Sequence, residues 1–367
     1  MHFALLLLTA VSLVTSQSLP ESCWMCLDIV SSSTKQGSET EEATKQRALD
    51  NAHSYNLSDQ TVYINELNCH WKKYYGDANS HQSDYFLTTC ADTGMCPIEY
   101  QTQPSTFTLV DITKSTTNYN AWCAMPNIVL IHHTATATAD ETIDALNKRG
   151  LSVQYIVALN GTVYQQVADY HVAWHAGTGA WRDITLVNSN SVGIEIVNTG
   201  DKPYPHLQIK AVNELVRMLK ERWFVDDFYI IGHSDITPAR KDDPSGYFPW
   251  SSLYNHLSIF PNLFNTSLSE SKQRAIIIGG NVTYSPDRLT QIQLDLQTVG
   301  YTYLSLTLGV YNDNTSSVFE AFNRHFSPEV FIKESVDPAT QDTIHHEENR
   351  YWYGISHERL QKLISSM

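Results

Sequence analysis

The sequence contains 367 residues, enough for about two or three domains of ordinary size. Hydrophobic residues make up 42% and charged residues 17% of the chain. This globular composition excludes a wholly disordered chain, a collagen-like repeat and a polytopic membrane protein. The formal net charge is -15, whereas a protein that binds nucleic acid needs a basic surface to displace counterions from phosphates. The composition therefore predicts a folded, multidomain protein with no nucleic-acid partner.

An apolar run, Phe3–Val14, lies near the start of the sequence. It is too short to cross the roughly 30 Å of a bilayer core. The small residues before Gln17 fit a signal-peptidase site, so residues 1–16 are predicted to be a signal peptide. No lysine or arginine precedes the run, and a buried N-terminal helix is the alternative. A signal peptide predicts a protein that is secreted or delivered to an endolysosomal or phagosomal lumen.

Six cysteines, an even number, lie in the first third of the chain, at positions 23, 26, 69, 90, 96 and 123. This concentration indicates local disulfide bonds. Cys23 and Cys26 also have the spacing of a redox or zinc pair, although no second pair with zinc spacing follows. Five Asn-x-Ser/Thr sequons fit a glycosylated protein of the secretory route. They begin at Asn56, Asn160, Asn265, Asn281 and Asn314.

Residues 17–100 form a polar, cysteine-bearing segment with helical character, which opens with Cys23-Trp-Met-Cys26 and closes with Cys90 and Cys96. The segment resembles the saposin-B type of small helical domain. This resemblance implies disulfide bonds that join Cys23 to Cys96 and Cys26 to Cys90, and it implies a lipid or membrane surface as a partner. An unrelated disulfide-tied helical hairpin is the alternative. A bond between the two remaining cysteines is also left open.

Strand and helix signals alternate over residues 127–261, after a polar linker at 101–126. Asn160-Gly161 is a strong turn signal and predicts a hairpin between the two apolar runs that flank it. A capping box at Thr138 and Glu141 predicts the start of a helix. Apolar residues at helical spacing predict a second helix over 207–224. The pattern predicts a central α/β domain with a mixed sheet flanked by helices.

Polar side chains stand at the ends of the predicted strands. His132 ends one strand, His233 follows another, and Lys241 and Asp243 lie in the loop just downstream. Two imidazoles and one carboxylate leave an open position for water on a zinc ion, which is the form of a catalytic site. Core histidines with satisfied hydrogen bonds are the alternative for each imidazole taken alone. Glu195 lies within an apolar strand and faces away from its apolar neighbours, which favours a functional use.

The loop around His233 carries a long motif, Gly232-His-Ser-Asp-Ile-Thr-Pro-Ala-Arg-Lys-Asp-Asp-Pro244, followed by Phe248-Pro-Trp250. The motif resembles the signature of zinc-dependent N-acetylmuramoyl-L-alanine amidases. Ile131–Thr134, Ala173–Gly177 and Ser191–Glu195 occur in the order of the same family. The match is close to its anhydro-muropeptide amidase branch, which is related to peptidoglycan recognition proteins.

The resemblance implies a Zn2+ cofactor held by His132, His233 and Asp243. It also implies that Glu195 orients or deprotonates the attacking water and that Lys241 stabilises the oxyanion. Further substrate contacts are implied at His175, Trp181, Arg182 and Asn188.

Three other polar residues near these motifs are not expected to bind the metal. His133 neighbours His132 on its strand and therefore points to the opposite side. Asp235 and His325 have no partner at useful spacing and are predicted to be solvated or outer-shell residues.

A serine-rich linker at 262–275 precedes residues 276–367, which are predicted to be a small, mainly helical domain. Gly300 is the predicted stop of its first helix. Gln293, Leu296 and Gly300-Tyr301 resemble motifs of the small three-helix peptidoglycan-binding domain.

These resemblances imply hydrolysis of the amide bond between the lactyl group of N-acetylmuramic acid and L-alanine. The substrate would be bacterial peptidoglycan or its muropeptide fragments, cleaved by a monomeric, antibacterial enzyme. A peptidoglycan receptor that keeps the cleft without the chemistry is one alternative function. A lipid-interacting protein dominated by residues 17–100 is the other.

Overall fold

The structure, a computed structural model, describes residues 43, 46, 114, 116–120, 124, 126–169, 171–336 and 343–367. Nearly all of these residues belong to one compact unit, Phe107–Met367. The predicted signal peptide and all six cysteines lie outside the described residues, as does the segment 17–100 apart from residues 43 and 46. Among the described residues, no helix combines the length and the apolar character that crossing a membrane requires.

The described strands and helices follow one another as an α/β unit and then a mainly helical C-terminal part. The strands are β1 (Tyr119–Asn120), β2 (Ile128–His133), β3 (Tyr155–Val157), β4 (Val163–Gln165), β5 (Val172–Ala173), β6 (Ser191–Ile196), β7 (Ile230–Gly232), β8 (Ile276–Ile278), β9 (Ser335–Val336), β10 (Thr343–Ile344) and β11 (Trp352–Tyr353). The helices are α1 (Ala139–Lys148), α2 (His206–Trp223), α3 (His233–Ile236), α4 (Trp250–Leu257), α5 (Glu270–Gln273), α6 (Pro286–Val299), α7 (Asp313–Phe326) and α8 (Gly354–Ser365).

The central sheet has five strands in the order β4-β3-β6-β2-β7. β2 pairs in parallel with β6 and β7, β3 pairs in parallel with β6, and β3 and β4 are antiparallel. The predicted mixed sheet is therefore confirmed. β3 and β4 form the hairpin expected at Asn160-Gly161, where Gly161 has φ +87, a conformation that glycine adopts without steric cost.

The register of the sheet brings the polar side chains of two strands together. His132 on β2 pairs with Glu195 on β6, and Glu195 pairs with Ile156 on β3. These three side chains leave the sheet on the same face. His133, one residue along, lies on the opposite face.

Helices cover both faces of the sheet. Ile156 packs in a cluster with α1, whereas its neighbours Tyr155 and Val157 belong to the cluster that includes α2. Because side chains alternate along a strand, the two helices lie on opposite faces. α1 begins as predicted, since the Thr138 hydroxyl accepts from the Glu141 backbone N–H over 3.2 Å.

The C-terminal part contributes α6, α7 and α8. α6 ends at a C-cap residue, Gly300, as its sequence predicts. Apolar residues of these helices share one hydrophobic cluster with the sheet and with α2, including Leu289, Phe322 and Leu360. The hydrophobic core is thus continuous from the sheet into the C-terminal helices. The domain boundaries drawn from the sequence stay predictions.

Candidate metal centre

Two imidazoles and one carboxylate converge where β2 and β7 end. The Nδ1 atoms of His132 and His233 are 2.9 Å apart, and each lies 3.0 Å from Asp243 Oδ2. The three side chains are buried, with residue exposures of 1%, 3% and 6%. Within the described part of the chain, this is the group of histidine, cysteine and acidic residues whose atoms lie close enough to hold one metal ion.

Local structure explains how residues 101 positions apart come together. β2 and β7 are parallel neighbours, so their carboxyl ends lie at the same edge of the sheet. His132 is the next-to-last residue of β2, and His233 is the first residue of α3, directly after β7. The loop after α3 brings Asp243 back to the two histidines, and it is held there by a hydrogen bond from the Ser234 backbone N–H to the Asp243 carbonyl over 2.8 Å.

In the imidazole rings of His233 and His132, the hydrogen bond made by Nε2 determines that Nδ1 carries the lone pair. His233 Nε2 lies 2.9 Å from the Ala176 carbonyl, which can only accept, so Nε2 carries the proton and Nδ1 keeps a lone pair. A carbonyl partner of this kind orients metal-binding histidines in many proteins.

His132 is oriented by a chain of polar contacts. Ser191 Oγ donates to the Val187 carbonyl over 2.7 Å and can therefore accept from His175 Nε2, which is 3.5 Å away. His175 Nδ1 then accepts from His132 Nε2 over 3.1 Å. This order of donors leaves the lone pair of His132 on Nδ1, directed at His233 and Asp243.

Electrostatics keep the imidazole neutral and the carboxylate charged. Burial, with a smaller contribution from the nearby His233, lowers the pKa of His132 to about 4. Burial alone would raise the pKa of Asp243, but the electrostatic influence of the neighbouring His233 and His132 holds it well below its usual value. Both effects leave the protonation states that metal binding requires.

The donor set fits a zinc ion. Tetrahedral ligand atoms at zinc–nitrogen distances of 2.0–2.1 Å lie roughly 3.3 Å apart, close to the separations among the three atoms here. Two imidazole lone pairs face each other across 2.9 Å, an arrangement that repels unless a cation lies between them. Nitrogen and carboxylate donors in this number are typical of catalytic zinc sites.

Glu195 stands beside this cluster on the neighbouring strand. Burial, together with the charge of Asp243, raises the pKa of Glu195 well above its usual value, and Lys241 opposes this shift. Its Oε2 atom is buried and accepts no hydrogen bond from the described residues. A carboxylate with a raised pKa and an open oxygen can accept a proton from a substrate water.

Lys241 is exposed, two residues before Asp243. Its positive charge makes a small contribution that lowers the pKa values of both His132 and Glu195. His133 lies on the other side of the strand, where its Nδ1 accepts from the Ser245 backbone N–H over 3.1 Å. His133 is thus outside the cluster, as the alternation of the strand predicts.

His175 and Asn188 lie behind the metal cluster. The ring of His175 contacts His132, and Asn188 Oδ1 accepts from the backbone N–H groups of His175 and Ala176. Gly193 makes room for that ring, because a Cβ at this position would lie 2.7 Å from it. The sequence motif around Gly193 could have signalled this role, but the ring that it accommodates is 18 positions away. The predicted substrate contacts of His175 and Asn188 stay predictions.

Burial argues against the substrate contact predicted at Trp181, whereas the contact predicted at Arg182 stays a prediction. Trp181 is 1% exposed, and its indole N–H donates to the Phe228 carbonyl over 2.8 Å. Arg182 Nε donates to the Val299 carbonyl at the end of α6 over 3.0 Å. Arg182 thus attaches the end of α6 to the α/β unit, and the indole of Trp181 is enclosed by protein.

Asp235 and His325 are also not solvated, with residue exposures of 0% and 1%. Asp235 accepts hydrogen bonds from the Gly232 backbone N–H, from His325 Nδ1 and from the Tyr301 hydroxyl, each over 2.7 Å. Sequence reasoning missed this network because two of its members, Tyr301 and His325, follow Asp235 by 66 and 90 residues.

Comparison with known proteins gives a consistent result. Residues 123–246 match the family of N-acetylmuramoyl-L-alanine amidases. The chain is 29% identical to the N-acetylmuramoyl-L-alanine amidase AmiD of Escherichia coli over 244 residues, which cover 61% of this chain and 84% of AmiD. It is 34% identical to the 1,6-anhydro-N-acetylmuramyl-L-alanine amidase AmpD of Enterobacter cloacae over 108 residues, 29% of this chain and 58% of AmpD.

A solved structure of Escherichia coli AmiD, in complex with anhydro-N-acetylmuramic acid-L-Ala-D-gamma-Glu-L-Lys, has a TM-score of 0.50 and 24% identity to this chain. It covers 66% of this chain and 90% of AmiD, and the likeness shows a common fold. The fold and the family match define an α/β hydrolytic domain of the amidase type 2 superfamily. The chain is an enzyme of the N-acetylmuramoyl-L-alanine amidase class.

Proposed function

We propose that this chain is a zinc-dependent hydrolase that cleaves the amide bond between the lactyl group of N-acetylmuramic acid and L-alanine. The observation that carries the proposal is the convergence of His132, His233 and Asp243 beside the open carboxylate oxygen of Glu195. The substrate is bacterial peptidoglycan or a muropeptide that carries the stem L-Ala-γ-D-Glu-L-Lys, the ligand in the AmiD complex.

The residues of the chain divide the chemistry between them. His132, His233 and Asp243 would hold Zn2+, which lowers the pKa of water and polarises a carbonyl when it is bound. Glu195 accepts the proton of the attacking water and returns it to the nitrogen of L-alanine as the amide C–N bond breaks. Lys241 places a positive charge beside the oxyanion that develops on the lactyl carbonyl. The products are a lactyl carboxylate and a stem peptide with a free amine.

A receptor that binds peptidoglycan without cleaving it is the main rival. All three positions of the cluster hold residue types that can ligate zinc, and a carboxylate with a raised pKa is next to them. A binding module has no need of a buried acid whose charged form is disfavoured. These features support catalysis over simple recognition.

The remaining parts of the proposal have their basis in the sequence. Delivery through the secretory pathway, a monomeric state and contact of residues 17–100 with a lipid surface follow from the motifs described first. Binding of liposomes by the full-length protein and by a variant that lacks residues 17–100 tests the lipid contact.

The test of the enzymatic proposal is digestion of purified peptidoglycan by the zinc-loaded protein, with mass spectrometry of the released ends. We expect free stem peptides with an L-alanine amine, and we expect a chelator to abolish their release. The matched control is the Glu195→Gln variant loaded with zinc, which should bind the wall without cleaving it. No release of stem peptides by zinc-loaded wild-type protein would support the receptor instead.

A further inference from the structure

A cavity of about 500 Å³ lies against the loop that leads to Asp243. One wall is the segment 238–242, which includes Lys241 and ends directly before Asp243. The opposite wall is formed by α7 and by residues 345–350 of the C-terminal part. The cavity therefore lies between the loop that precedes Asp243 and a part of the chain that the proposed chemistry does not use.

The floor of the cavity is a set of ion pairs. Arg324 is 4% exposed, and its Nε donates to Glu334 Oε1 over 2.8 Å while its Nη2 donates to Glu320 Oε1 over 3.2 Å. Arg350 Nη2 donates to Ser317 Oγ over 2.9 Å. Since both guanidinium groups are held by partners, they present fixed positions to a ligand.

Arg350 is not fully satisfied by these partners. Its Nε atom lies 3.4 Å from Glu320 Oε2, and although this atom is buried it makes no hydrogen bond with good geometry to the described residues. The Arg350 side chain as a whole is 35% exposed, and it lines the cavity. A half-exposed arginine with donors to spare is suited to a carboxylate.

The cavity presents both signs of charge. The cations are Arg240, Lys241, Arg324 and Arg350. The anions are Asp242, Glu320 and Glu347. Four of only 24 lysine and arginine residues in a chain of net charge -15 therefore line this one cavity. Glu320 is occupied by the floor arginines, whereas Glu347 is exposed on the turn that also carries Arg350.

We propose that this cavity binds the distal end of the stem peptide, with Arg350 on its carboxylate and Glu347 on the side-chain amine of its third residue. This inference rests on the proposed function. L-Ala-γ-D-Glu-L-Lys carries both groups, and three residues of extended peptide span about 10 Å. Lys241 lines the cavity and is two residues from Asp243, which is at most about 7 Å along the backbone, so a peptide whose first residue lies at the metal centre can reach past Lys241 into the cavity. Recognition of the stem by the C-terminal part makes that part a wall of the cleft.

The test compares muramyl substrates that differ only in the stem. The three stems are L-Ala-γ-D-Glu, the tripeptide ending in L-Lys, and the tripeptide ending in L-norleucine, which lacks the amine. We expect zinc-loaded wild-type protein to prefer the L-Lys tripeptide. In Arg350→Gln the ratio of kcat/KM for the L-Lys tripeptide to that for the dipeptide should fall about tenfold, as expected for loss of a hydrogen bond to a charged group. Arg350→Lys keeps the positive charge, and its kcat/KM ratio should lie between those of Arg350→Gln and the wild type.

A second variant tests the contact with the side-chain amine of L-Lys separately. In Glu347→Gln, we expect the ratio of kcat/KM for the L-Lys stem to that for the L-norleucine stem to fall roughly threefold, because an exposed ion pair contributes little. Arg274→Gln, an exposed arginine outside the cavity, is the matched control and should keep both ratios.

The outcomes separate the cavity from the proposed function. If the kcat/KM ratios of Arg350→Gln and Glu347→Gln both equal those of the wild type, the cavity does not bind the stem. In that case hydrolysis of the dipeptide substrate would still support the proposed enzymatic function. Should Arg350→Gln unfold, an unchanged norleucine ratio in Glu347→Gln is sufficient to overturn the cavity assignment. If zinc-loaded wild-type protein cleaves none of the three substrates, both proposals fail.

Discussion

The hydroxyl of Tyr301 donates a hydrogen bond to Asp235 Oδ1 over 2.7 Å, although the two residues are 66 positions apart. The other oxygen of Asp235 accepts from the Gly232 backbone N–H, directly before His233 of the candidate metal centre, and from His325. A fully buried carboxylate needs such donors to offset the loss of water. Residues of the C-terminal part thus stabilise the turn that carries His233.

Removal of the Tyr301 hydroxyl should destabilise the protein. In Tyr301→Phe, Asp235 Oδ1 loses a donor while it stays buried, which costs about 1–3 kcal/mol of unfolding free energy. Urea unfolding of the metal-free protein measures this cost. Tyr164→Phe, a half-buried tyrosine of β4, is the control. Equal losses in the two variants would show that the Asp235 network carries no special stability.

Glu195→Gln should remove proton transfer and keep the metal. The amide has the same shape but cannot accept the proton, so we expect kcat to fall by about 10² to 10⁴. Zinc content, measured by mass spectrometry of the dialysed protein, should stay at the wild-type level. A variant that retains more than a tenth of the wild-type kcat would exclude Glu195 as the base.

Asp243→Asn should weaken zinc binding, because a neutral amide replaces the anionic ligand between two imidazoles. Asp242→Asn is the matched control, since its carboxylate is adjacent in sequence but outside the cluster. Competition with a fluorescent chelator measures both affinities. We expect the loss only in Asp243→Asn, and equal effects of the two changes would mean that charge near the loop, not ligation, is responsible.

His175→Ala distinguishes the two roles considered for this ring. The structure has His175 Nδ1 accepting from His132 Nε2, so its loss should lower zinc affinity about 10- to 100-fold. A direct substrate contact, as the sequence implied, would instead raise KM and leave zinc affinity unchanged. Chelator competition and steady-state kinetics on the same preparation separate the two results.

Acid should destabilise the metal-free protein through His132. Its pKa is about 4 in the folded chain against 6.5 for an ordinary histidine, so the unfolded state takes up the proton first as the pH falls. The stability that the folded state owes to a neutral, buried His132 is intact above pH 6.5. It is lost progressively down to about pH 4, and the total loss in unfolding free energy is on the order of 3 kcal/mol. Urea midpoints of the protein in chelator at pH 7.5 and 5 measure the change. His132→Asn should show a smaller decrease, and an identical decrease would assign the effect to other groups.

Several features of the site could be predicted because they depend on neighbours in the chain. The alternation of β2 separates His132 from His133, and the apolar strand around Glu195 isolates its carboxylate. The long motif from Gly232 to Pro244 carries His233 and Asp243 together. These features depend on spacing within a few residues, which a sequence displays directly.

Trp181 shows where such reasoning ends. Its motif position predicted a cleft residue, yet the indole is buried against Tyr301, with 5.1 Å between ring centroids, and leaves no room for a side chain at Gly300. Nothing near Trp181 in the sequence identifies a partner 120 positions away. The choice between a solvated and an outer-shell Asp235 was open for the same reason, since its burial depends on Tyr301 and His325.

The sequence by itself determined the residue types of the candidate metal centre, the order of strands and helices in the α/β unit, and the resemblance to a class of enzymes. Local periodicity, helix caps and turn residues act over a few positions, so they can be read without the fold. Only the tertiary structure decided which polar groups are buried, which histidine nitrogen faces the metal centre and which helices line the cavity beside it. Those properties arise from the packing of distant segments, and packing depends on the three-dimensional fit of side chains that no spacing rule encodes.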